Sequence, residues 1–407
     1  MPLASTSAAA LGYIPEATFG VTPTTGNYRR LRMTGESLDF SIEKTTSAEI
    51  NSTRTTSFMS PVSASATGGI QGELQYAEYD LLMAGTLQST WAAYGTNGVG
   101  ATFTADFTAT TITATVAPTG GSAFTTLQLG QWFRVSAGAN ANNGRLLRVS
   151  TVTAPTSTVI TLDANTPAAV SSAVANMALQ TSRLTHDSTQ TSFSLERQLT
   201  DVGQFFNHRG MTPSKMDIGI SSGSLSTINF DFMGKDAVRN TVTNLPGTPV
   251  DSYAYGTQSG VSNTAACQIW LGTTPLTGTF AKSVSLSFDN ALRTQDGICT
   301  LGAVGIGSGT INCTVDVEVY FSDGVLFDRF ISNANSQIIF SSVDSAGNGY
   351  VFTLPAANIS THKSNAGSKD SDVMASISFM GLNDDSNAVS ALRKTLLVDR
   401  VGVAVPA

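Results

Sequence analysis

Three histidines, His186, His208 and His362, are the side chains of this sequence best suited to binding a metal ion or acting as a general base. Metal sites in proteins usually bring several ligands close together in the sequence, for example at i and i+4 on a helix. None of the three histidines shows such a spacing. We therefore interpret them as surface or loop residues, and we predict no metal and no cofactor.

A glycine-rich stretch, "GAVGIGSGT" (302–310), offers a second kind of chemistry because such loops can cradle phosphate groups. A phosphate loop must open a helix, whose first N–H groups bind the anion. Here an alternating strand pattern follows, which favours an ordinary loop. The paired charges of "LERQLTDV" (195–202) are interpreted as solvated residues or subunit contacts, so we predict that the protein is not an enzyme.

Acidic side chains recur at a different kind of position, on strands that alternate polar and apolar residues. In "ESLDFSIEK" (36–44), for example, Leu38 and Phe40 alternate with Asp39 and Ser41. Because successive side chains of a strand point to opposite faces, the apolar residues mark the core side and the acids mark the other. The acids at such positions are Asp39, Glu43, Glu73, Asp231, Asp289, Asp316 and Glu318.

The strands that carry these acids come in two matching sets. The segments "INFDFMGKD" (228–236) and "SISFMGLND" (376–384) share Phe-Met-Gly. Each follows the same order of elements: a strand, a long loop, a second strand, a short helix and two further strands. The predicted first strands are 36–44 and 282–290, the second strands 68–77 and 310–321, and the helices 78–87 and 323–333. This order predicts a duplicated β domain with one helix in each copy.

A third unit interrupts the first copy. Residues 98–182 contain only five charged residues and several β-rich segments separated by turns, which predicts a small inserted β domain. The predicted fold is mainly β, with two tandem β-sandwich or barrel domains, one short helix in each, and the insert. The predicted boundaries are an N-terminal arm (1–27), a first domain (28–97 and 183–240), the insert (98–182), a linker (241–264) and a second domain (265–407).

Composition limits the partners. Hydrophobic residues make up 41% of the chain and charged residues 13%, which is typical of a globular, strand-rich protein. No apolar run approaches the roughly 20 residues of a membrane span, so we predict no membrane partner. The net charge of −7 argues against affinity for a nucleic-acid backbone. Cys267, Cys299 and Cys313 are expected to be free and mostly buried thiols in a protein made in a reducing cytoplasm.

Several segments together resemble the phage tail tube proteins of long-tailed bacteriophages. They are "GYIPEATFGVTP", "SFSLERQLTDVGQFFNHRGM" with "FMGKDA", "NALRTQDGICTLGAVGIGSGTINCTVDVEVYFSDG", "DSAGNGYVFTLP" and "KTLLVDRVGV". The resemblance covers nearly the whole chain outside the insert. It implies a structural virion protein, assembled in the cytoplasm of the host bacterium, whose rings stack into the tail tube. It also implies that the sheets of neighbouring domains join into one inner barrel, with the loops 45–61 and 292–309 reaching toward the next ring.

The duplication makes a specific prediction about such a ring. Two domains per chain give six similar sheets in a trimer, so a trimer is favoured over a hexamer, which would have a wider lumen. Double-stranded DNA is expected to pass through without specific binding, and other tail proteins are expected partners. The seven acids are then predicted to face the lumen, because lysine or arginine there would hold the phosphates. The alternative is that they are simply exposed on the outside.

Two other functions remain open at this stage. One is a carbohydrate-binding or adhesion protein, for which Trp132 and Phe133 of the insert would be the best evidence, although core packing is the favoured role of Trp132. The other is a capsid decoration protein, which differs from a tube protein in its place on the virion.

Overall fold

The computed structural model describes residues 3–251, 269–271, 274–275, 280–321, 324–365, 369–370, 372–383 and 392–405. Cys267 and the part of the predicted linker from 252 to 264 lie outside these residues. The described chain is mainly β, as predicted. The N-terminal strands and the first helix are β1 (Ala9–Pro15), β2 (Arg29–Leu31), β3 (Gly35–Glu36), β4 (Asp39–Thr46), β5 (Met59–Glu73), α1 (Asp80–Thr86) and β6 (Ala92–Ala93).

The next six strands form a sheet of their own within the predicted insert, in the order β10-β9-β12-β7-β8-β11. It encloses its own core, in which Phe107, Phe124 and Phe133 are almost fully buried. One-turn 3₁₀ helices lie at Thr6–Ala8, Gly120–Ser122 and Phe124–Thr126. The strands are β7 (Phe103–Phe107), β8 (Thr111–Ala114), β9 (Trp132–Ser136), β10 (Leu146–Arg148), β11 (Val159–Thr161) and β12 (Ser171–Gln180).

The remaining elements complete the first repeat and build the second. After the insert come β13 (Ser182–Thr185), β14 (Phe193–Leu199), β15 (Gln204–Ser221), β16 (Thr227–Gly234) and β17 (Asp236–Asn240). The second repeat contains β18 (Ile269–Leu271), β19 (Thr274–Pro275), β20 (Ala281–Asp289), β21 (Arg293–Gln295), β22 (Gly305–Gly307), β23 (Asn312–Tyr320), α2 (Val325–Ser332), β24 (Ser336–Val343), β25 (Gly349–Asn365), β26 (Met374–Leu382) and β27 (Leu397–Val401).

One continuous antiparallel sheet runs through both repeats. Its order is β4-β5-β16-β15-β20-β23-β26-β25, and we call it the eight-stranded sheet. Four strands come from each repeat, and the two sets meet where β15 pairs with β20. Only the C-terminal halves of the long strands β15 and β25 belong to it.

The N-terminal halves of β15 and β25 belong to a second layer. In the first repeat this layer runs β2-β1-β14-β15-β17, and in the second it runs β19-β18-β24-β25-β27-β13-β6. The main core lies between the layers, where Leu195 and Phe352 of the second layer are buried with Phe230 and Leu286 of the eight-stranded sheet. This is the sandwich predicted from the alternating strands.

The two repeats agree in detail. Ser37-Leu38-x-Phe40, which leads into β4, and Ser285-Leu286-x-Phe288 of β20 occupy equivalent positions in the two repeats. β15 and β25 each carry a one-residue bulge, at Ser214 and Ser360. The hydroxyl of each serine donates to a carbonyl of the neighbouring strand, Asp231 O at 3.0 Å and Ser378 O at 3.1 Å. A shared bulge with the same hydrogen bond identifies a true structural duplication.

Two parts of the chain lie elsewhere than their sequence position suggested. The interval 1–27, predicted as an N-terminal arm, contains β1, which pairs with β14 along its whole length and with β2. β1 therefore has the place in the first repeat that β18 has in the second. The insert, although it interrupts the first repeat, packs on the second: Trp132 lies against Ile339, Val351 and Val401.

The helices fall where the 3.6-residue periodicity predicted them, although each is shorter than its predicted span. α1 packs on β15 and α2 packs on β25, so both hold equivalent positions. Most of the predicted loop 45–61 is a loop, from 47 to 58, and only its two ends are strand, because β4 and β5 pair as far as Thr46 and Met59. Part of the second predicted loop, 292–309, forms the short hairpin β21–β22. In the same loop, Leu301 O accepts a hydrogen bond from the backbone N–H of Ala64 at 2.7 Å. This second loop folds onto the first repeat of its own chain.

Candidate functional site

All seven acids singled out from the sequence lie on one face of the eight-stranded sheet, opposite the core. Directly opposed residues of an antiparallel pair have their side chains on the same face. Asp231 is opposite Lys215, which is opposite Asp289, and Asp316 is opposite both Ser285 and Ser378. We call this surface the acidic face; along its strands the neighbouring positions on the other side are the buried ones, such as Phe230 and Leu286.

The acidic face also carries charges that the sequence argument missed. Asp217 belongs to it, opposite Asn229 and Ser287, as do Lys215 and Lys363, while Lys282 reaches Glu318 at 3.8 Å. Within the described strands, the acidic face therefore carries eight carboxylates and three lysines. The alternation of polar and apolar residues in "KMDIGIS" (215–221) would have predicted that Lys215 and Asp217 lie on this face.

The carboxylates are close enough to influence one another. Partial burial raises the pKa of Asp231; Lys215 opposes this rise, and Asp217 and Asp289 add to it. Lys215 binds Asp217 at 2.8 Å, and this hydrogen bond is the main reason why the pKa of Lys215 is raised. The lysine therefore stays charged and neutralises part of a strongly negative strip, which leaves the face with a negative excess.

The eight-stranded sheet ends in two open edges. Within the described residues, β4 pairs only with β5, and the C-terminal half of β25 pairs only with β26. Every residue of β4 except Phe40 is exposed. Long exposed edges are templates for adding another strand, so a stable protein must cover or close them.

A sequence model of the family described as phage tail tube protein matches residues 6–381 of the 407.

The chain belongs to the phage tail tube family.

Membership makes it a structural protein of the bacteriophage tail, which assembles with copies of itself and with other tail proteins. A search of curated proteins gave no match to this chain.

In this tail tube protein the insert is attached through buried charges rather than left as a loose appendage. Arg183 donates two hydrogen bonds to Asp399 of β27, both at 2.7 Å, and others to the carbonyls of Leu129 and Gly130 in the insert. The backbone N–H of Trp132 donates to the same carboxylate at 3.0 Å. The insert thus lies on the second layer of the second repeat.

A similar buried contact joins the two repeats of the tail tube protein. Asp80, at the start of α1, pairs with Arg400 of β27 and accepts a hydrogen bond from the hydroxyl of Tyr350 at 2.6 Å. The buried hydroxyl of Tyr350 has a pKa raised well above its ordinary value, first by burial and then by Asp80. The helix of one repeat is therefore fixed to the strands of the other.

The two aromatic residues of the insert that would support carbohydrate binding are inaccessible. Trp132 is 3% exposed and Phe133 is fully buried, so neither offers a ring to a sugar. The guanidinium of Arg148 lies 5.6 Å from the Trp132 ring centre. The tryptophan fills the junction between insert and second repeat, which is the packing role favoured from the sequence.

The histidines lie far apart in the fold. His186 follows β13, His208 is in β15, and His362 is in β25 between Phe327 and Phe330 of α2. Burial lowers the pKa of His186 to about 4, with Lys394 adding to the effect, and burial also lowers the pKa of His208. In the described part of the chain, no three His, Cys, Asp or Glu residues are grouped as metal ligands would be.

Two sequence motifs that could indicate a phosphate-binding or catalytic site connect strands in the structure. The glycine-rich stretch 302–310 forms β22 and leads into strand β23, not a helix, as predicted. Gly219–Gly223 has the Gly-x-Ser-x-Gly spacing of a hydrolase elbow, a pattern that the sequence argument wrongly counted as absent. Here it ends strand β15 and turns into strand β16, and the Ser221 hydroxyl lies 2.6 Å from that of Ser224. An elbow requires a helix after the serine.

The cysteines only partly follow expectation. Cys313 is buried in the core, which raises the pKa of its thiol to about 12. Cys299, in the loop after β21, is exposed, so the prediction of burial is wrong for it. Neither helix in the described residues has the length and apolar character to cross a bilayer.

Proposed function

We propose that three copies of this chain close into a ring whose eight-stranded sheets form one barrel, and that stacked rings conduct DNA from the capsid to the host. The observation that carries this proposal is the continuous sheet of two equivalent halves with an open strand at each end. Closure into a barrel removes both edges.

The size of the barrel fits the proposal. Three chains give 24 strands, and at about 4.8 Å between strands an upright barrel would be about 37 Å across, or wider when its strands tilt. A duplex fits within this width. Six chains would double the circumference, which is why the trimer is favoured over the hexamer.

The acidic face lines the lumen in this proposal. The second layer and the insert lie on the opposite side of the sheet, and the core fills the space between the layers. Only the acidic face remains for the channel, while the insert is placed on the outside of the tube. Three chains of net charge −7 give about −21 per ring, which repels DNA within a Debye length of about 10 Å.

A charge reversal tests the channel. Asp316→Lys combined with Glu318→Lys should leave folding and ring formation intact, because both side chains point away from the core. It should slow DNA ejection from assembled virions, most strongly at low salt, because lysines in the lumen would bind phosphates and release counterions. Ejection is measured as DNA release over time after addition of the receptor.

The control is Asp106→Lys combined with Asp251→Lys, which makes the same change in charge outside the acidic face. Asp106 is exposed on the insert, and Asp251 pairs with the partly exposed Arg30 of β2. The control should eject at the wild-type rate. If the Asp316 and Glu318 variant ejects like its control across salt concentrations, the acidic face does not line the channel.

A further inference from the structure

The chain contains an internal copy of the contact that a ring would need. β15 is the last strand of the first set of four, and β20 is the first strand of the second set. They pair antiparallel, with Lys215 opposite Asp289, Asp217 opposite Ser287 and Ile218 opposite Leu286. This junction between repeats is continuous and buried on its core side, where Met216 and Phe288 are fully buried.

The two open edges are the counterparts of these strands. β25 corresponds to β15, because the bulges at Ser360 and Ser214 match. β4 corresponds to β20, because Ser37-Leu38-x-Phe40 matches Ser285-Leu286-x-Phe288. Each correspondence rests on both sequence and ladder register, so the register of the internal junction can be transferred without adjustment.

We infer that β25 of one copy pairs antiparallel with β4 of the next in the register of the internal junction, which sets Lys363 opposite Asp39 and Thr361 opposite Ser41. This inference rests on the ring proposed above and names the residues that close it.

The charges of the two edges support this register. In the internal junction a lysine, Lys215, faces an aspartate, Asp289. The transferred register again sets a lysine opposite an aspartate, although at the next position along the face. Asp39 and Lys363 are both exposed, and neither forms an ion pair with another described residue. A slip of one residue would move the two side chains to opposite faces.

The hydrogen-bond pattern shows how close these side chains come. Asn290 N–H donates to Ser214 O at 2.9 Å across the internal junction. Hydrogen-bonded and non-hydrogen-bonded pairs alternate along an antiparallel ladder, so the next pair, Lys215 and Asp289, is non-hydrogen-bonded. By equivalence Ile42 N–H donates to Ser360 O of the neighbouring copy. Thr361–Ser41 and Lys363–Asp39 are then non-hydrogen-bonded pairs, whose side chains approach most closely.

An exposed apolar surface supports the same contact independently. In the first repeat the end of α1 is covered by the second repeat, since the side chain of Asn290 donates to Thr86 O at 2.6 Å. Among the described residues, the equivalent helix α2 has no such cover: Phe327 is 45% and Ile331 is 66% exposed. Ile42, the counterpart of Asn290, is also exposed. The inferred pairing brings Ile42 of one copy to α2 of the next, apolar against apolar.

Cysteine cross-linking tests the register. In a background with Cys267→Ser and Cys299→Ser, the pair Ser41→Cys and Thr361→Cys should oxidise to a covalently closed trimer on a non-reducing denaturing gel. A non-hydrogen-bonded pair has its Cα atoms about 4.5 Å apart, within the range of a disulfide. The control pair, Ser41→Cys and Ser364→Cys, places the two thiols on opposite faces and should remain monomeric on the same gel.

A charge exchange tests the ion pair. Asp39→Lys alone or Lys363→Asp alone sets like charges opposite each other, and each should raise the concentration needed for half-maximal ring formation about fivefold. The double variant should return this concentration to near the wild-type value. Such a recovery would show that Asp39 and Lys363 contact each other directly, because two independent defects would add up in the double variant.

The outcomes separate the two proposals. Rings in electron micrographs without the Ser41–Thr361 cross-link, or with a cross-link from the control pair, would overturn the inferred register and leave the tube intact. A double charge variant no better than the single ones would overturn the Asp39–Lys363 pair. If the parent protein forms neither rings nor tubes, both the register and the proposed function fail.

Discussion

Ile42→Pro should leave the chain folded and prevent it from forming rings. In β4 the residues alternate between facing β5 and facing the open edge. Ser37, two residues before β4, donates its N–H to Gly69 O of β5. Ala64, which is opposite Ile42, donates its N–H to Leu301 O instead of to β4. The N–H of Ile42 therefore points to the open edge, where proline removes a donor and adds a ring that obstructs a partner strand.

The expected effect is close to complete loss of assembly, because every junction of a closed ring contains the same defect. The measurement is sedimentation velocity over a range of concentrations, with circular dichroism and thermal melting to verify folding. Ile42→Val keeps the N–H and most of the apolar surface, so this control should assemble like the parent protein. Normal rings from folded Ile42→Pro would exclude β4 as a junction strand.

Asp399→Ala should cost about 3–5 kcal/mol of stability, because it breaks a buried ion pair by removing one partner. Asp399 is fully buried and accepts two hydrogen bonds from Arg183 and one from the N–H of Trp132. Removing the carboxylate leaves the guanidinium of Arg183 buried without the counter-charge with which it pairs.

Denaturant unfolding followed by tryptophan fluorescence measures this loss, because Trp132 lies next to the altered site. The matched control is Asp251→Ala, which breaks the pair with Arg30 at 3.3 Å, where both side chains are substantially exposed. Exposed pairs contribute about 0–1 kcal/mol. Equal midpoints for Asp399→Ala and Asp251→Ala would mean that the buried pair does not hold the insert on the second repeat.

The sequence predicted the parts of this fold that depend on local periodicity. Alternation in segments such as 36–44 and 310–321 separated the core side from the acidic side, and all seven chosen acids lie on one face. The repeated Phe-Met-Gly and the matched order of elements predicted the duplication. These features are visible in a sequence because side-chain direction in a strand follows from position alone.

The sequence did not predict which strands pair across long separations. Nothing in β15 or β20 marks them as neighbours, since alternation is satisfied by any partner with an apolar face. For the same reason β1 was taken for part of an arm, and the repeat on which the insert packs could not be predicted. Trp132 was correctly expected to be buried. Its hydrophobicity alone, however, could not identify Ile339, Val351 and Val401 as the residues it contacts.

The central claim is that three duplicated chains close one ring, and native mass spectrometry of the purified protein tests it most directly. With a chain mass of 42.3 kDa, the account predicts a ring of about 127 kDa. Electron micrographs of the same sample should show a central hole, and the rings should stack into tubes at high concentration. A ring near six chain masses, or a monomer that stays monomeric at every concentration, would contradict the account.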